Sequence, residues 1–372
     1  MNALSLIQGT SGQIERELHS IFDAKIARPS AHGADLRFLW EATASRAVGG
    51  KLLRPRLFLS TVAALRAPSA GGAPETVERP EFSPSELRVA ASLELLHFGF
   101  LLHDDVIDDD LSRRGRPNLI ALLAATRSTE PARDEESGSR ARRLHWAQSC
   151  AMLMGSLLIA EVHQIFAAVD ADARSDALAL LDHAISESVA GELMDVGLSD
   201  GMLGADLPTI IRMSEYKTAT YSFGLPLQTA AVLAGAPAEL GPSLGRAGRH
   251  LGLAFQLQDD LLSMFGDPAR HGKDAFSDLR EGKETALIAY ARTTTTWRHI
   301  EPWFGVGDLR AADARTASTL LEACGARTFV EGLIAEQLTA LDELTARHDA
   351  AFPVPLVRVL DGLRDELVGR AA

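Results

Sequence analysis

Two cysteines, Cys150 and Cys324, are all that the 372-residue chain contains. Neither has a neighbouring Cys or His at metal-ligand spacing, so no disulfide framework organises this fold. Both read as thiols in a reducing compartment. Aromatic residues are scarce at 6%, and strict alternation of apolar and polar residues is rarer still, which disfavours a sheet. Basic residues are outnumbered, 37 Lys and Arg against 50 Asp and Glu, for a net charge of −13. That balance excludes a nucleic-acid surface and an anionic-membrane surface as the main partner. The chain opens without a basic segment or an unbroken apolar run, so it reads as having no signal peptide. No stretch of about 18 apolar residues stands out as a membrane span. A cytoplasmic protein is expected.

What the sequence has in abundance is helical periodicity. Apolar residues recur at i, i+3, i+4 and i+7 through 56–66, 86–103, 146–168, 176–198, 206–234, 243–265, 283–292 and 317–345, which predicts an all-α protein of many helices. Ser83-Pro84-Ser85-Glu86 and Asp206-Leu207-Pro208 are helix openings. The chain exceeds the roughly 250–300 residues at which a single core stops growing. Two polar segments rich in small residues and proline, 67–84 and 126–143, account for part of the excess and read as flexible insertions. A weaker break spans 293–313. Helical pattern of the same kind resumes after each, so the expectation is one large helical domain over 1–372.

The chemistry concentrates in 97–117, HFGFLLHDDVIDDDLSRRGRP. An apolar helix runs into Asp104, Asp105, Asp108, Asp109 and Asp110. Asp104 and Asp108 are one turn apart, and Asp105 and Asp108 lie beside them. Carboxylates stacked at the C-terminal half of a helix repel each other and oppose the helix dipole. A hard divalent cation, Mg²⁺, resolves both conflicts. A second acidic stretch, FQLQDDLLSMFGD at 255–267, sets Asp259, Ser263 and Asp267 at i, i+4 and i+8, with Asp260 adjacent. Two such helix ends suggest a pair facing each other across a cavity, with metal between them and a polyanion bridging it.

Cations cluster in the same neighbourhoods of this acidic chain. Arg113 and Arg114 follow the first motif. Gly50, Lys51 and Arg54 sit in GGKLLRPR, where glycines let backbone approach a ligand. Lys217 and Thr218 lie mid-helix, Lys273 and Lys283 flank the segment after the second motif, and His97 precedes the first. A diphosphate needs such a set, bidentate Arg contacts together with Lys point charge.

The stretches GGKLLRPRL, ELLHFGFLLHDDVIDDDLSRRGRP, YKTATYS and FQLQDDLLSMFGDPARHGKDAFSDLREGKETAL resemble the polyprenyl synthetase family, the trans-isoprenyl diphosphate synthases. The last stretch is most similar to the actinobacterial branch that makes geranylgeranyl-type products. The resemblance implies the isoprenoid synthase fold, a single helical domain around a deep central cavity, and a homodimer. It implies condensation of an allylic prenyl diphosphate with isopentenyl diphosphate, with roughly three Mg²⁺ ions in place once substrate is bound. By position, Asp104, Asp105, Asp108, Asp259 and Asp260 would hold metal. Gly50, Lys51, Arg54, His97 and Arg114 would hold isopentenyl diphosphate. Arg113, Lys217, Thr218, Gln256 and Lys273 would hold the allylic diphosphate, and no side-chain nucleophile is required.

Three positions depart from the family pattern. Ser263 stands where a fifth-position Asp is frequent, Ser156 replaces a usual Asp, and Glu192 replaces a usual Gln and adds negative charge. Phe100 lies one helical turn, about 6 Å, before Asp104, where a bulky ring shortens the product. Gly99 beside it is expected to open space. Together they suggest a fifteen- or twenty-carbon product. A class I terpene cyclase is the alternative enzyme, because Asp259, Ser263 and Asp267 resemble its second metal triad. Against it stand the full isopentenyl diphosphate set and a chain with only three tyrosines. A catalytically silent partner subunit should have lost one acidic motif, and both are present.

Overall fold

The computed structural model describes residues 10–28, 33–67, 80–113, 115–126, 137–266, 276–347 and 352–370. Among them helix dominates, and the one sheet is a pair of two-residue strands. The helices are α1 (Ser11–Ile26), α2 (Ala34–Ala47), α3 (Leu53–Arg66), α4 (Pro84–Ile107), α5 (Leu119–Thr126), α6 (Ser137–Ala167), α7 (Ala171–Ser199), α8 (Leu207–Ser214), α9 (Leu225–Leu233), α10 (Leu240–Phe265), α11 (Ser277–Glu281), α12 (Ala286–Arg292), α13 (Trp297–Ile300), α14 (Ala311–Ala323), α15 (Ala326–Ala346) and α16 (Val354–Arg370). A π-helix, Glu215–Gly224, joins α8 to α9. Strands β1 (Ser112–Arg113) and β2 (Arg116–Pro117) pair antiparallel, Ser112 with Pro117 and Arg113 with Arg116.

The chain forms two compact units. One is built from Ser5–Ser60 and Ala73–Leu178, the other chiefly from Ala179–Ala372. In the first, α4 is the central element and packs against α1 and α6. It is apolar on every side, with Val89, Leu93, Leu95, Leu96 and Leu102 all buried, as a helix must be when surrounded. Its start follows from local chemistry: the Glu86 amide donates to Ser83 Oγ at 3.2 Å and the Ser83 amide to Glu86 Oε2 at 2.9 Å, a capping box with Pro84 in the first turn.

In the second unit α10 takes the central place, against the π-helix, α9, α15 and α16. Leu253, Leu257, Leu261 and Met264 of α10 share a core with residues from α11 to α15. Helix α8 opens on Asp206, whose Oδ1 accepts from the Thr209 amide at 2.8 Å. That bond holds the Asp206 carboxyl below the usual carboxylate range.

Several expectations change. Residues 137–143, expected as part of a loop, form the first two turns of α6; they run without a break into its apolar stretch, and a helix once nucleated extends at one bond per residue. Residues 207–233 are helical throughout but not α-helical throughout. A long apolar segment does exist: within Ser139–Ala167 one window is long and apolar enough to cross a membrane, with 39% of it buried inside the protein. Helix α10 ends at Phe265, with Gly266 as its cap. Most of both expected insertions, 68–79 and 127–136, lies outside the described residues.

Candidate active site

Each unit carries one acidic motif at the end of its central helix. In the first unit, Asp104 and Asp105 occupy the last turn of α4 and Asp108 caps it, its amide donating to the Asp104 carbonyl at 2.9 Å. Asp109 then adopts a left-handed φ of 54°, which Asp tolerates better than most residues. This sharp reversal leads into β1 and returns Arg113 onto the helix end. Arg113 Nη2 donates to Asp104 Oδ2 at 3.0 Å and to Asp105 Oδ1 at 2.5 Å, and its Nε donates to Asp105 Oδ1 at 2.9 Å. Two carboxylates thus converge on one cationic nitrogen. Burial pushes the Asp105 carboxyl up, and the Arg113 guanidinium only partly offsets that. Burial draws Arg113 down, but Asp105 and Asp104 outweigh it and raise it overall.

The donor set fits a hard cation: carboxylate oxygens already share a positive centre, and Mg²⁺ accepts few protein ligands. Among the described residues no three acidic, His or Cys side chains converge on one point. Asp104 and Asp105 are therefore brought together, whereas Asp108 does not complete a cage with them. Gln148 of α6 donates from Nε2 to Asp109 Oδ1 at 2.7 Å and braces the reversal. Asn118 donates from Nδ2 to the Asp110 carbonyl at 2.7 Å and caps α5 through the Ala121 amide. Neither was expected. Asn118 before an apolar run carries a readable cap signal, while Gln148 acts across 39 residues and leaves no local trace.

Of the remaining expected residues in this unit, Lys51 is exposed in the turn between α2 and α3, and Arg54 sits half-buried at the start of α3. Between them Leu52 is buried with a left-handed φ of 50°, a strained backbone of the kind that persists where surroundings over-determine it. Gly50 precedes the turn, and His97 is half-buried on α4. Gly99 does not open space. A Cβ there would lie 3.3 Å from the Gly155 carbonyl and 3.4 Å from Ile159 Cγ1, so its missing side chain lets α4 meet α6. Phe100 remains half-buried one turn before Asp104. Ser156 is exposed on α6, donating to the Met152 carbonyl at 3.2 Å. Arg114 lies outside the described residues.

In the second unit, Asp260 is buried near the end of α10 and Asp259 is half-buried beside it. Gln256, one turn earlier, donates from Nε2 to Asp260 Oδ1 at 2.9 Å and accepts at Oε1 from Thr218 Oγ1 at 3.0 Å. Thr218, Gln256 and Asp260 form a chain from the π-helix to the acidic motif. The π-helix widens its turn to i→i+5 spacing, a form that concentrates at functional sites, and it carries Lys217 and Thr218. Lys217 Nζ donates to Asp195 Oδ2 at 2.6 Å and lies 3.0 Å from Glu192 Oε2. Asp195 was missed, although its i, i+3 relation to Glu192 marks a shared helix face. Ser263 places its Oγ 3.4 Å from Ser277 Oγ. Lys283 pairs with Glu281 at 3.2 Å. Asp267 and Lys273 lie outside the described residues.

The model of the family described as polyprenyl synthetase matches residues 39–317 of the chain. The chain belongs to the polyprenyl synthetase family. A (2E,6E)-farnesyl diphosphate synthase of Mycobacterium tuberculosis is 29% identical over 304 residues, 80% of this chain and 74% of the relative. A geranylgeranyl diphosphate synthase of Methanosarcina mazei is 24% identical over 372 residues, 100% of this chain and 98% of the relative. Among solved structures, the geranylgeranyl pyrophosphate synthase of Corynebacterium glutamicum, complexed with isoprenyl diphosphate and magnesium, superposes with a TM-score of 0.79 at 27% identity, covering 97% of this chain and 96% of that one. This polyprenyl synthetase is accordingly a prenyltransferase with the all-α isoprenoid synthase fold.

Proposed function

We propose that this polyprenyl synthetase joins an allylic prenyl diphosphate head-to-tail to isopentenyl diphosphate and releases geranylgeranyl or farnesyl diphosphate. The observation that carries the reading is the convergence of Asp104 and Asp105 on a single cationic position at the end of an apolar helix. Asp104, Asp105, Asp108, Asp259 and Asp260 would hold Mg²⁺, roughly three ions with substrate bound. The metal supplies charge stabilisation for a departing diphosphate. Arg113, Lys217, Thr218, Gln256 and Lys273 hold that diphosphate, and their cations stabilise the charge that grows on it as the allylic C–O bond breaks. Gly50, Lys51, Arg54, His97 and Arg114 hold isopentenyl diphosphate, so that its double bond attacks the allylic cation. Proton loss to the released diphosphate completes the step. Apolar residues ahead of each acidic motif keep water from the cation. A cytoplasmic location belongs to the same reading.

The test is incubation of the purified protein with Mg²⁺, isopentenyl diphosphate and, separately, dimethylallyl, geranyl and farnesyl diphosphates, with products sized by mass spectrometry. Elongated prenyl alcohols that vanish with EDTA are expected. Phe100→Ala should lengthen them by one or two five-carbon units, since the ring lies about 6 Å below the first carboxylate. Cyclic hydrocarbons made without consumption of isopentenyl diphosphate would instead favour a cyclase.

A homodimer belongs to the same proposal. The outward side of α6 carries Met152, Leu153 and Leu157, all exposed, and no Asp, Glu, Lys or Arg occurs between Arg143 and Glu161. A charge-free apolar face of this length supports that reading. Sedimentation should give twice the chain mass, and Leu153→Glu should give one chain mass. A wild-type monomer at micromolar concentration would exclude the dimer.

A further inference from the structure

The weak break in the helical pattern at 293–313 contains a built structure of the second unit. Its first part, 293–305, folds back onto the turn between α11 and α12, and that turn carries Lys283. Arg292, the last residue of α12, donates from Nη2 to Glu284 Oε1 at 2.5 Å. Glu284, next to Lys283, is 6% exposed. Its Oε2 is buried as well and has no hydrogen-bond partner among the described residues, so Arg292 supplies the compensating charge that this carboxylate needs. The Arg292 guanidinium is stacked in its turn. It lies 4.5 Å from the centre of the Trp297 ring and 5.5 Å from that of Phe304. The two rings meet edge-on, with their centres 5.6 Å apart.

The backbone of the turn is gripped by the same segment. Gly282 has a left-handed φ of 72°, and a Cβ there would lie 3.1 Å from Gly305 Cα. The Gly305 amide donates to the Leu279 carbonyl of α11 at 2.9 Å. At the other end of α11, the Phe276 amide donates to the Ser263 carbonyl of α10 at 2.9 Å, one turn beyond Asp259. Lys283 therefore stands on a short element fixed at one end by the helix of the second acidic motif and at the other by 297–305. We infer that Glu284 and Arg292, locked by Trp297 and Phe304, are positioning residues that set where Lys283 presents its charge to diphosphate. The inference rests on the reading of Lys283 as one of the cations that serve the diphosphate.

The experiment is calorimetric titration of inorganic diphosphate with Mg²⁺ into wild type, Lys283→Ala, Glu284→Gln and the double variant. Glu284→Gln deletes an anion, so charge alone would tighten binding. Positioning predicts the reverse: Kd should rise about three- to tenfold, because a charge-assisted contact that is displaced loses part of its strength. The rise should vanish in the Lys283→Ala background, since both residues act through one contact. Phe304→Ala changes no charge and should weaken binding as Glu284→Gln does, and Phe304→Tyr should restore it. The Phe304 pair also decides the matter if Glu284→Gln does not fold. A lowered Tm in Glu284→Gln or Phe304→Ala with wild-type or tighter diphosphate binding makes the cluster purely structural and overturns the inference, as do additive losses in the double variant. A wild type that binds no diphosphate, or binds it no better than Lys283→Ala, removes the premise and the inference with it. If wild type binds diphosphate yet condenses no prenyl diphosphates, the reading under Proposed function fails and the binding test still decides this one.

Discussion

Asp105→Ala is expected to cut prenyl transfer by about 10²–10³-fold, the range for removing one preorganised charge contact from a site that stabilises developing charge. Asp105 is the most deeply buried of the acids in the first motif, and its carboxylate shares the Arg113 guanidinium with Asp104. Burial raises its pKa, so the charged form depends on nearby cations to persist. Alanine removes the carboxylate and leaves Arg113, itself largely sheltered, with Asp104 as its remaining partner in this group. Because Arg113 keeps Asp104 and is partly exposed, the stability loss should be about 1 kcal/mol, readable as a slightly lowered Tm. Asp105→Asn separates the two effects. It keeps the volume and an oxygen for Arg113, so the melt should move less, yet it lacks the anionic charge that a divalent cation needs. Loss of prenyl transfer in both variants with a near-normal melt for Asp105→Asn is the expected pattern. Asp105→Asn activity within about tenfold of wild type would mean that the carboxylate charge is not used, since a contact of this kind carries 10²–10³.

The parts of this site that were legible in the sequence are those written within a single helical turn or two. The acids of 104–110 and 259–260 announce themselves because charge clusters abruptly after apolar helix. Ser83 and Asp206 were legible as caps because capping is local chemistry. What escaped acts between distant segments or through backbone geometry. The π-helix at 215–224 has ordinary helical composition, and only its packing reveals the wider turn, so Lys217 could be placed on a helix but not on this one. Gly99 was read from its size as open space, when the partner that fills that space, Gly155, lies 56 positions away. The first turns of α6 are polar enough to resemble the loop before them and are helical as the continuation of the apolar stretch that follows.

Glycines settle where the π-helix can lie, and Gly191→Ala is the substitution expected to disturb it most. The π-helix is approached from two sides by helices that carry glycine at the contact. A Cβ at Gly252 of α10 would fall 2.3 Å from Ala219 Cα, one at Gly248 2.6 Å from Gly224 Cα, and one at Gly191 of α7 2.1 Å from the Lys217 nitrogen. Every one of these neighbours is backbone, so no side chain can swing aside. Accommodation requires α7 and the π-helix to separate, and overpacking that cannot relax costs about 3 kcal/mol or more. The separation also draws Glu192 and Asp195 away from Lys217, so the remaining folded enzyme should show weakened grip on the allylic diphosphate as well as a lowered Tm. Gly204→Ala is the matched control: no atom lies within 4 Å of its added Cβ, and its melt should stay within about 0.5 kcal/mol of wild type. If Gly191→Ala melted like Gly204→Ala and kept its allylic KM, the close approach of α7 to Lys217 would not be what holds this cation in place.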